Sequence, residues 1–314
     1  MRNDTGNDPL ASTPQRSTHM LDLKGKTAVI SGGADGIGFS LARALSAQGM
    51  NIVLADIEAK QLETARRTLD GESIPVLAVE MDVALHEDWE RTAEAAQERF
   101  GAVHMLINNA GVGGGIGAIE TLDDPGWRWT IDVNLMGVVY GAHVFVPHMK
   151  SHGEPSWLIN VASMAGMAGA PLAGAYTATK AAVVALTEAW ALELARSNIS
   201  VSVLAPAFVK TRIHQSYRNR QPRYAATIEP TPDVIRVAKG TSAAVEGGID
   251  PDLLSARVLE SLEAGDLYIF THPNYRPIAD QRAAIVAGGF DSAGASPLLQ
   301  EVARQPINFG FSDG

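Results

Sequence analysis

From Lys26 onwards, short runs of apolar residues alternate with longer stretches in which apolar residues recur at helical spacing. The short runs predict strands at Thr27–Ile30, Ile52–Ala55, Val76–Val79, Met105–Ile107, Trp157–Val161, Val201–Leu204 and Leu267–Phe270. The longer stretches predict helices at Ile37–Gln48, Glu58–Leu69, Glu87–Phe100, Trp127–Met149 and Tyr176–Arg196. Apolar strands that alternate with helices indicate an α/β fold, with a single doubly wound parallel sheet of about seven strands and helices on both faces.

The pattern weakens at both ends and in one internal segment. Residues 1–20 are polar and without periodicity, which predicts a disordered tail. The segment 207–250, rich in Arg, Tyr, Pro and Gly, interrupts the alternation, and a connection of this length is typical of a lid or binding loop. We therefore predict one domain over 21–272 that includes this lid, and a C-terminal extension over 273–314 with a helical pattern near Ile278–Val286.

Composition and charge restrict the classes of partner. The 314 residues are 46% hydrophobic, include no cysteine and carry a formal net charge of −10. The absence of cysteine excludes disulfides, thiolate metal sites and a cysteine nucleophile, and we predict no metal centre. The acidic balance argues against partners such as nucleic acid or an anionic membrane. No apolar run approaches the length of a membrane span and no signal sequence is evident, so we predict a cytoplasmic protein.

A glycine-rich turn joins the first predicted strand to the first predicted helix. Its glycines are Gly32, Gly33, Gly36 and Gly38, and Asp35 and Ile37 lie among them. Glycines at this place let the backbone approach a pyrophosphate closely, while the helix N-terminus supplies N–H donors. The alternative is a plain glycine-rich turn, but the strand–turn–helix context favours a dinucleotide site.

Acidic residues favour NAD over NADP as the dinucleotide. Asp56, followed by Ile57, ends the second strand, where a carboxylate accepts hydrogen bonds from both ribose hydroxyls and repels a 2′-phosphate. Asp35 adds a second acid, and no basic residue follows Asp56 before Lys60. The alternative interpretation of Asp35 is that it only caps the following helix.

The third and fourth strands end in further candidate cofactor ligands. Asp82 and Val83 follow the third strand, and Asn109, Ala110 and Gly111 follow the fourth. Open α/β sheets bind ligands at these carboxyl ends, so Asp82 could accept from an adenine amino group while Ala110 and Gly111 leave room for a ribose. Either group could instead serve in turns or helix caps.

Tyr176 and Lys180 are four residues apart on a predicted helix and therefore share one face. An ammonium beside a phenol favours the phenolate and lowers the tyrosine pKa from about 10. Such a tyrosine can act as a general acid or base near neutral pH. Taken alone, the pair could equally be an ordinary pair on a helix surface.

In order and spacing, these motifs resemble the short-chain dehydrogenase/reductase family over about residues 22–270. The resemblance rests on the glycine turn, Asp82, the run Asn108–Gly111, Asn134, Ser163, Tyr176 with Lys180, and the run Pro206–Thr211. It implies a Rossmann-type catalytic domain, nicotinamide chemistry, and a homodimer or homotetramer built through the two long helices. It further implies that Pro206, Val209 and Thr211 contact the cofactor.

The same resemblance implies four catalytic residues. Ser163 would bind the substrate oxygen, Tyr176 would exchange its proton, and Lys180 would bind the nicotinamide ribose and lower the Tyr176 pKa. Asn134 would hold a water that joins Lys180 to solvent. The chain departs from the family pattern after the sixth strand, where Pro206 is followed by Ala207 instead of glycine.

The substrate side is less specific. Met164 and Phe208, with the glycine loop 112–116, Met167, Leu172, Tyr217 and Tyr224, suit a bulky hydrophobic or aromatic secondary alcohol. The methionines could equally fill the core. The lid arginines, Arg212, Arg218, Arg220 and Arg223, could reach a substrate carboxylate or form a solvated basic face. The Pro206–Ala207 pair, the arginine-bearing lid and the Leu267–Phe270 strand look similar to those of bacterial dehydrogenases of aryl-substituted alcohols, including those that act on lignin-derived ether units.

The predicted function is therefore NAD-dependent oxidation of a small-molecule secondary alcohol to a ketone, with a tyrosine as general base. Two alternatives within the enzymes are an NADPH-dependent carbonyl reductase and a hydroxysteroid dehydrogenase. The alternative of another class is a noncatalytic NAD-binding regulator.

Overall fold

The computed structural model describes residues 21–226, 229 and 231–306. The predicted tail at 1–20 and the end of the predicted extension, 307–314, lie outside the described residues. The chain divides into two compact units, the first ending at Thr271 and the second beginning at His272.

Within the described residues, seven parallel strands form one sheet in the order β3-β2-β1-β4-β5-β6-β7. The strands are β1 (Thr27–Ser31), β2 (Asn51–Asp56), β3 (Val76–Glu80), β4 (Met105–Asn108), β5 (Ser156–Val161), β6 (Ile199–Leu204) and β7 (Tyr268–Ile269). The predicted doubly wound parallel sheet is confirmed. Strand order reverses between β1 and β4, and open sheets of this kind form their ligand crevice at that point.

Helices cover both faces of the sheet. The helices of the first unit are α1 (Gly36–Ala47), α2 (Ala59–Gly71), α3 (His86–Phe100), α4 (Asp124–Ile131), α5 (Gly137–His152), α6 (Met164–Met167), α7 (Gly174–Glu193), α8 (Pro232–Glu246) and α9 (Pro251–Ala264). The second unit contains α10 (Arg276–Gly294). Successive residues of a strand point to opposite faces, so in β1 Ile30 packs under α1, α2 and α9 while Val29 packs under α3 and α5. Burial on both faces explains why the strands are apolar throughout.

The helix predicted at Trp127–Met149 runs from Asp124 to His152 and contains a π-helical turn, Asp132–Met136, which joins α4 to α5. The π turn places the buried Asn134 side chain toward the crevice loop at Val112. By length and composition this helix could cross a membrane, contrary to the expectation that no run reaches that length. Half of its most apolar window is buried, however, as in a core helix.

The ends of the lid 207–250 are joined to each other. Val209 and Ile249 form an isolated parallel bridge, the Ile249 N–H donates to the Phe208 carbonyl at 3.0 Å, and the Lys210 N–H donates to the Ile249 carbonyl at 3.0 Å. The lid also contains the helix α8, which the sequence pattern did not predict. In the second unit, α10 is longer than the predicted Ile278–Val286.

Candidate active site

The carboxyl edge of the sheet brings together the ends of five strands that carry candidate site residues. β1 ends at Ser31 before the glycine turn, β2 ends at Asp56, and β4 ends at Asn108. Ser163 follows β5 by two residues and caps α6, and Pro206 follows β6 by two residues. Since all the strands are parallel, these residues line one crevice.

The glycine turn leaves no room for side chains. Gly32 and Gly36 have φ angles of +62° and +51°. A Cβ on Gly38 would lie 2.2 Å from the Gly32 carbonyl oxygen, so only glycine allows α1 to begin this close to β1. The Asn109 side chain donates to the Gly32 carbonyl at 3.0 Å and fixes the turn. The N-terminus of α1, including Ile37, therefore faces a cradle that fits a diphosphate.

The loop after β4 is tied to β1 by one hydroxyl group. The N–H groups of Asn109 and Ala110 donate to Oγ of Ser31 at 3.0 and 3.1 Å. A Cβ on Gly111 would lie 3.4 Å from Oδ1 of Asn134 and 3.5 Å from Nζ of Lys180. The missing side chain at Gly111 therefore leaves space directly in front of these two groups.

Asp56 is the last residue of β2 and is hydrogen-bonded to the glycine turn. Its Oδ2 accepts from the Ala34 N–H at 3.1 Å, and its Oδ1 accepts from the Glu58 N–H at 3.0 Å. Burial raises the pKa of Asp56, and these two hydrogen bonds oppose that rise. Each carboxylate oxygen can accept a further hydrogen bond, which fits a pair of ribose hydroxyls.

Asp35 does not cap α1, so the alternative interpretation of this residue is wrong. Although it occupies the N-cap position, its side chain makes no capping hydrogen bond. Its Oδ2 instead accepts from Nε of Arg212 in the lid. Arg212 lies 177 positions further along the chain, which is why reasoning from the neighbours of Asp56 missed a cation at this corner.

The remaining lid arginines also bind the protein itself. Arg218 donates through Nε to Glu58 at 3.1 Å, and Arg223 donates through Nη2 to Asp82 at 2.6 Å. The guanidinium of Arg220 is buried between aromatic rings, 5.4 Å from the centroid of Trp129. The lid arginines are therefore paired with groups of the protein itself, while the side chains of Arg212, Arg218 and Arg223 stay 30–41% exposed.

A cleft of about 580 Å³ lies beside β3, and its lining residues include Ile57 and Asp82 from the predicted cofactor ligands, together with Leu77, Glu80 and others. Oδ1 of Asp82 accepts from the Ala84 N–H at 3.0 Å, while its Oδ2 binds Arg223. Val83, the residue after Asp82, is buried. The Val83 carbonyl oxygen accepts a hydrogen bond from the indole N–H of Trp89.

Asn134 is fully buried and forms a two-way pair with the backbone of Val112. Its Oδ1 accepts from the Val112 N–H at 2.8 Å, and its Nδ2 donates to the Val112 carbonyl at 2.9 Å. The side chain also lies 3.4 Å from Oγ1 of Thr179, beside Lys180 on α7. The π turn therefore couples the loop that follows β4 to the helix that bears Tyr176.

Lys180 and Tyr176 lie on one face of α7, with Nζ of Lys180 5.7 Å from the centroid of the tyrosine ring. The ammonium donates to the Val161 carbonyl at 2.7 Å, and burial lowers the pKa of Lys180 to about 8. Burial raises the pKa of Tyr176, although hydrogen bonding with Ser163 lowers it. The expected net fall in the Tyr176 pKa is therefore not seen, because desolvation of the phenol outweighs the effects that lower its pKa.

Ser163 is positioned by the backbone on both sides of it. Its Oγ accepts from the Ala165 N–H at 3.1 Å and lies 3.4 Å from the Pro206 carbonyl, to which it can donate. The Met164 N–H donates to the same Pro206 carbonyl at 2.9 Å. The loops after β5 and β6 are thereby held together around the hydroxyl.

The start of the lid lies over the glycine turn. A Cβ on Gly36 would lie 2.9 Å from Cγ2 of Thr211, so these two residues are in close contact. Val209 is buried in the core, whereas Phe208 keeps 39% of its surface exposed. Of the lid residues predicted for the substrate pocket, Phe208 and the 49% exposed Tyr217 therefore remain accessible.

Some of the other pocket candidates are core residues. Tyr224 is buried and its hydroxyl donates to Asp132 at 2.8 Å. Met167 packs against the small core cluster around α7, which agrees with the core-filling alternative for this residue. Met164 is 8% exposed at the start of α6, and Tyr217 packs against the Trp129 ring at 5.5 Å.

Comparison with known proteins gives a consistent result. The family model described as "short chain dehydrogenase" matches residues 26–222. A "C alpha-dehydrogenase" of Sphingobium is 32% identical over 290 residues, which cover 92% of this chain and 93% of that protein. A "CLA biosynthesis dehydrogenase/reductase" of Lactiplantibacillus plantarum is 33% identical over 270 residues, covering 84% of this chain and 93% of that protein.

A solved structure resembles the chain along almost its whole length. It is a short chain dehydrogenase/reductase from Burkholderia phymatum in complex with NAD. The TM-score is 0.83 at 32% identity, and the match covers 92% of this chain and 99% of that chain.

Proposed function

The chain belongs to the short-chain dehydrogenase/reductase family and is an oxidoreductase acting on CH–OH groups with NAD or NADP; we propose that its acceptor is NAD and its substrate a bulky hydrophobic or aromatic secondary alcohol. The buried ammonium of Lys180, on the same helix face as Tyr176 and next to the space in front of Gly111, carries this proposal. An uncompensated buried cation is costly in a protein interior, which favours a catalytic role over a structural one.

The residues around the crevice fit the parts of a nicotinamide dinucleotide. The glycine turn would hold the diphosphate, the carboxylate of Asp56 the adenosine ribose, and Asp82 the adenine. Lys180 would bind the nicotinamide ribose, with Pro206, Val209 and Thr211 along the other side of the ring. The bound nicotinamide supplies the acceptor for the hydride that leaves the carbinol carbon.

The chain's own residues move the proton. Tyr176 takes the hydroxyl proton of the alcohol as the C–H bond breaks, and Ser163 donates a hydrogen bond that steadies the developing oxyanion. Since burial raises the Tyr176 pKa, the phenolate needs compensating positive charge, and Lys180 is the protein's nearby source of it. Asn134 holds Val112 and Thr179 in place and would keep a water path to Lys180 open.

Two features support a bulky apolar substrate. Phe208 exposes 39% of its surface at the start of the lid, and Tyr217, further along the lid, exposes 49%. The similarity to a "C alpha-dehydrogenase" and to a "CLA biosynthesis dehydrogenase/reductase" supports the dehydrogenation itself. We further propose a cytoplasmic homodimer or homotetramer, assembled through α5 and α7.

The test is the substitution Tyr176→Phe with NAD⁺ and a panel of aromatic, steroid and aliphatic secondary alcohols. We expect turnover to fall by at least about a hundredfold, because a general base is lost, while NAD⁺ affinity changes little. Tyr140→Phe is the matched control, since Tyr140 lies on α5 against His86. Undiminished NADH formation by the Tyr176 variant would contradict the proton-transfer role.

The second candidate is an NADPH-dependent carbonyl reductase. Arg212 and Arg218, which the structure brings to the corner beside Asp56, favour it because guanidinium groups bind phosphate well. Dissociation constants for both dinucleotides discriminate the two candidates. Stronger binding of NADP⁺ than NAD⁺ would contradict the argument from Asp56.

A further inference from the structure

Charges from two distant parts of the chain meet at the corner where a 2′-phosphate would lie. Three carboxylates, those of Asp35, Asp56 and Glu58, come from the first two βα units. Two guanidinium groups, those of Arg212 and Arg218, come from the lid. Sequence alone shows only the acidic half of this corner, and that half argues for NAD.

Glu58 is the acceptor on which the lid cations converge. Its Oε1 accepts from Nε of Arg218 at 3.1 Å and from the same guanidinium's Nη2. It also accepts from Nδ2 of Asn219 at 2.9 Å and lies 3.6 Å from Nη2 of Arg212. That Nη2 is buried and has no hydrogen-bond partner among the residues that the structure describes.

These arginines have the chemistry of a phosphate site. A guanidinium group presents paired N–H donors that match phosphate oxygens, and it remains charged at any physiological pH. Arg212 and Arg218 keep 35% and 30% of their side-chain surface exposed, so a ligand in the crevice can reach them. The dinucleotide corner therefore contains the donors that NADP would need, already bound to protein carboxylates.

Asp56 does not hold these arginines in place. Both of its oxygens accept backbone N–H groups, those of Ala34 and Glu58. Asp35 holds Arg212 through Nε, but Arg218 is held by Glu58 and by the carbonyl oxygen of Arg212. Loss of the Glu58 carboxylate would thus release Arg218 and leave Arg212 with one carboxylate instead of two.

We propose that Glu58 is a second determinant of dinucleotide choice, which excludes NADP by keeping Arg212 and Arg218 from the 2′-phosphate. The inference rests on the proposed function, because it presumes that this crevice binds a nicotinamide dinucleotide. Asp56 repels the phosphate directly, whereas Glu58 removes the cations that would otherwise attract it. Asp56 therefore acts on the negatively charged phosphate, and Glu58 acts on the positively charged arginines at the same corner.

The experiment measures the dissociation constants of NAD⁺ and NADP⁺ by isothermal titration calorimetry, with no turnover required. In Glu58→Ala we expect the preference for NAD⁺ over NADP⁺ to fall by about tenfold to a hundredfold, the effect of one or two charge-assisted hydrogen bonds. The gain in NADP⁺ affinity should weaken as salt is raised, because it comes from charges that are partly exposed. Glu58→Gln should give a smaller change, since its amide oxygen can still accept from Arg218.

Two further variants identify the cause. In Glu58→Ala/Arg218→Ala the gain in NADP⁺ affinity should disappear, whereas a gain that survives would mean that Glu58 acts only by its own charge and would overturn the inference. Glu63→Ala is the matched control, because it removes a carboxylate from the same helix that binds Arg66 and Arg67. An equal change in that control would also overturn it.

The proposed function and the inference can fail separately. If the unaltered protein binds neither dinucleotide, both are wrong. If it binds NAD⁺ and Glu58→Ala leaves NADP⁺ affinity where it was, only the role of Glu58 is wrong.

Discussion

At the carboxyl edge of the sheet a buried ammonium remains charged near neutral pH, whereas at the amino edge burial favours the neutral form of two histidines. Lys180 is 3% exposed, and burial lowers its pKa to about 8. His104 directly precedes β4, and His148 and His152 lie near the C-terminal end of α5. Burial lowers the pKa of His104 and of His148. Both edges thus contain ionisable groups that are removed from water, but the Lys180 ammonium is charged near neutral pH whereas His104 and His148 favour the neutral form.

The difference lies in what the backbone does for each group. Each histidine accepts a backbone N–H on a ring nitrogen: His104 from Thr27 at 3.2 Å, His148 from Val103 at 3.0 Å and His152 from Glu154 at 3.1 Å. A nitrogen that accepts must be unprotonated, so at His104 and His148 these hydrogen bonds act together with burial to favour the neutral form. We call His104, His148 and His152 the histidine cluster.

Proximity alone would suggest another role for part of this cluster. Ligand atoms of His104, His152 and Glu154 lie within 4.8 Å of one another, as in a metal site. The Thr27 N–H, however, occupies Nδ1 of His104, which leaves the proton on Nε2, 3.1 Å from Glu154. The geometry therefore favours a hydrogen-bonded cluster that stabilises the fold over metal ligation.

The comparison predicts that substitutions at the carboxyl edge change activity, whereas substitutions at the amino edge change stability. The largest expected effect is that of replacing Lys180. Replacing Lys180 by Met should lower kcat/KM by about a hundredfold to ten-thousandfold, because the cation beside Tyr176 is lost. A pKa lowered from 10.5 to about 8 means that the buried charge costs the folded state about 3 kcal/mol at neutral pH. We therefore expect the melting temperature of K180M to remain unchanged or to rise.

Turnover of purified K180M and its thermal unfolding check both halves of this expectation. A large fall in melting temperature would show that Lys180 is structural, like the histidines, and would remove the distinction between the edges. Thr177→Ala, on the same turn of α7, serves as the control, since Thr177 interacts with the Ala170 backbone.

The next effect concerns stability at the amino edge. His148→Ala leaves the buried Val103 N–H without its acceptor, which should cost about 1–3 kcal/mol in the free energy of unfolding. His148→Gln places an amide oxygen near the position of Nε2 and should lose less. Urea unfolding at pH 7.5 measures both, and kcat should be unchanged in both. Equal losses would mean that packing, and not the hydrogen bond, is responsible.

Local patterns in the sequence predict one part of this molecule well. The sheet, the glycine turn and the place of Asp56 follow from apolar periodicity and from glycines between a strand and a helix, which depend on neighbouring residues only. The π turn at Asp132–Met136 does not, because the continuous apolar helix pattern contains no signal for one inserted residue.

The predictions that were wrong concern contacts between residues far apart in the chain. The pairing of Arg212 with Asp35 joins the lid to the first turn, and no periodicity relates such positions. The pKa of Tyr176 was expected to fall because only its neighbour Lys180 was visible in the sequence, whereas the desolvation that raises it comes from the assembled crevice. The sequence shows which residues are charged, but only the folded structure shows which of them are buried.

The smallest expected effect is the pH dependence of stability, and it tests the neutral state of His104 and His148. His104 and His148 have lowered pKa values through burial, while nearby Lys26 and His152 lower and Glu154 raises the pKa of His104. Below the unfolded histidine value of about 6.5, the unfolded chain therefore binds more protons than the folded chain. Stability should be complete above that pH and should fall progressively as the pH is lowered from about 6.5 towards the folded values. Because Gln does not titrate, H148Q should show a shallower fall than the unaltered protein; the same slope in both would mean that His148 is not held neutral by its Val103 hydrogen bond.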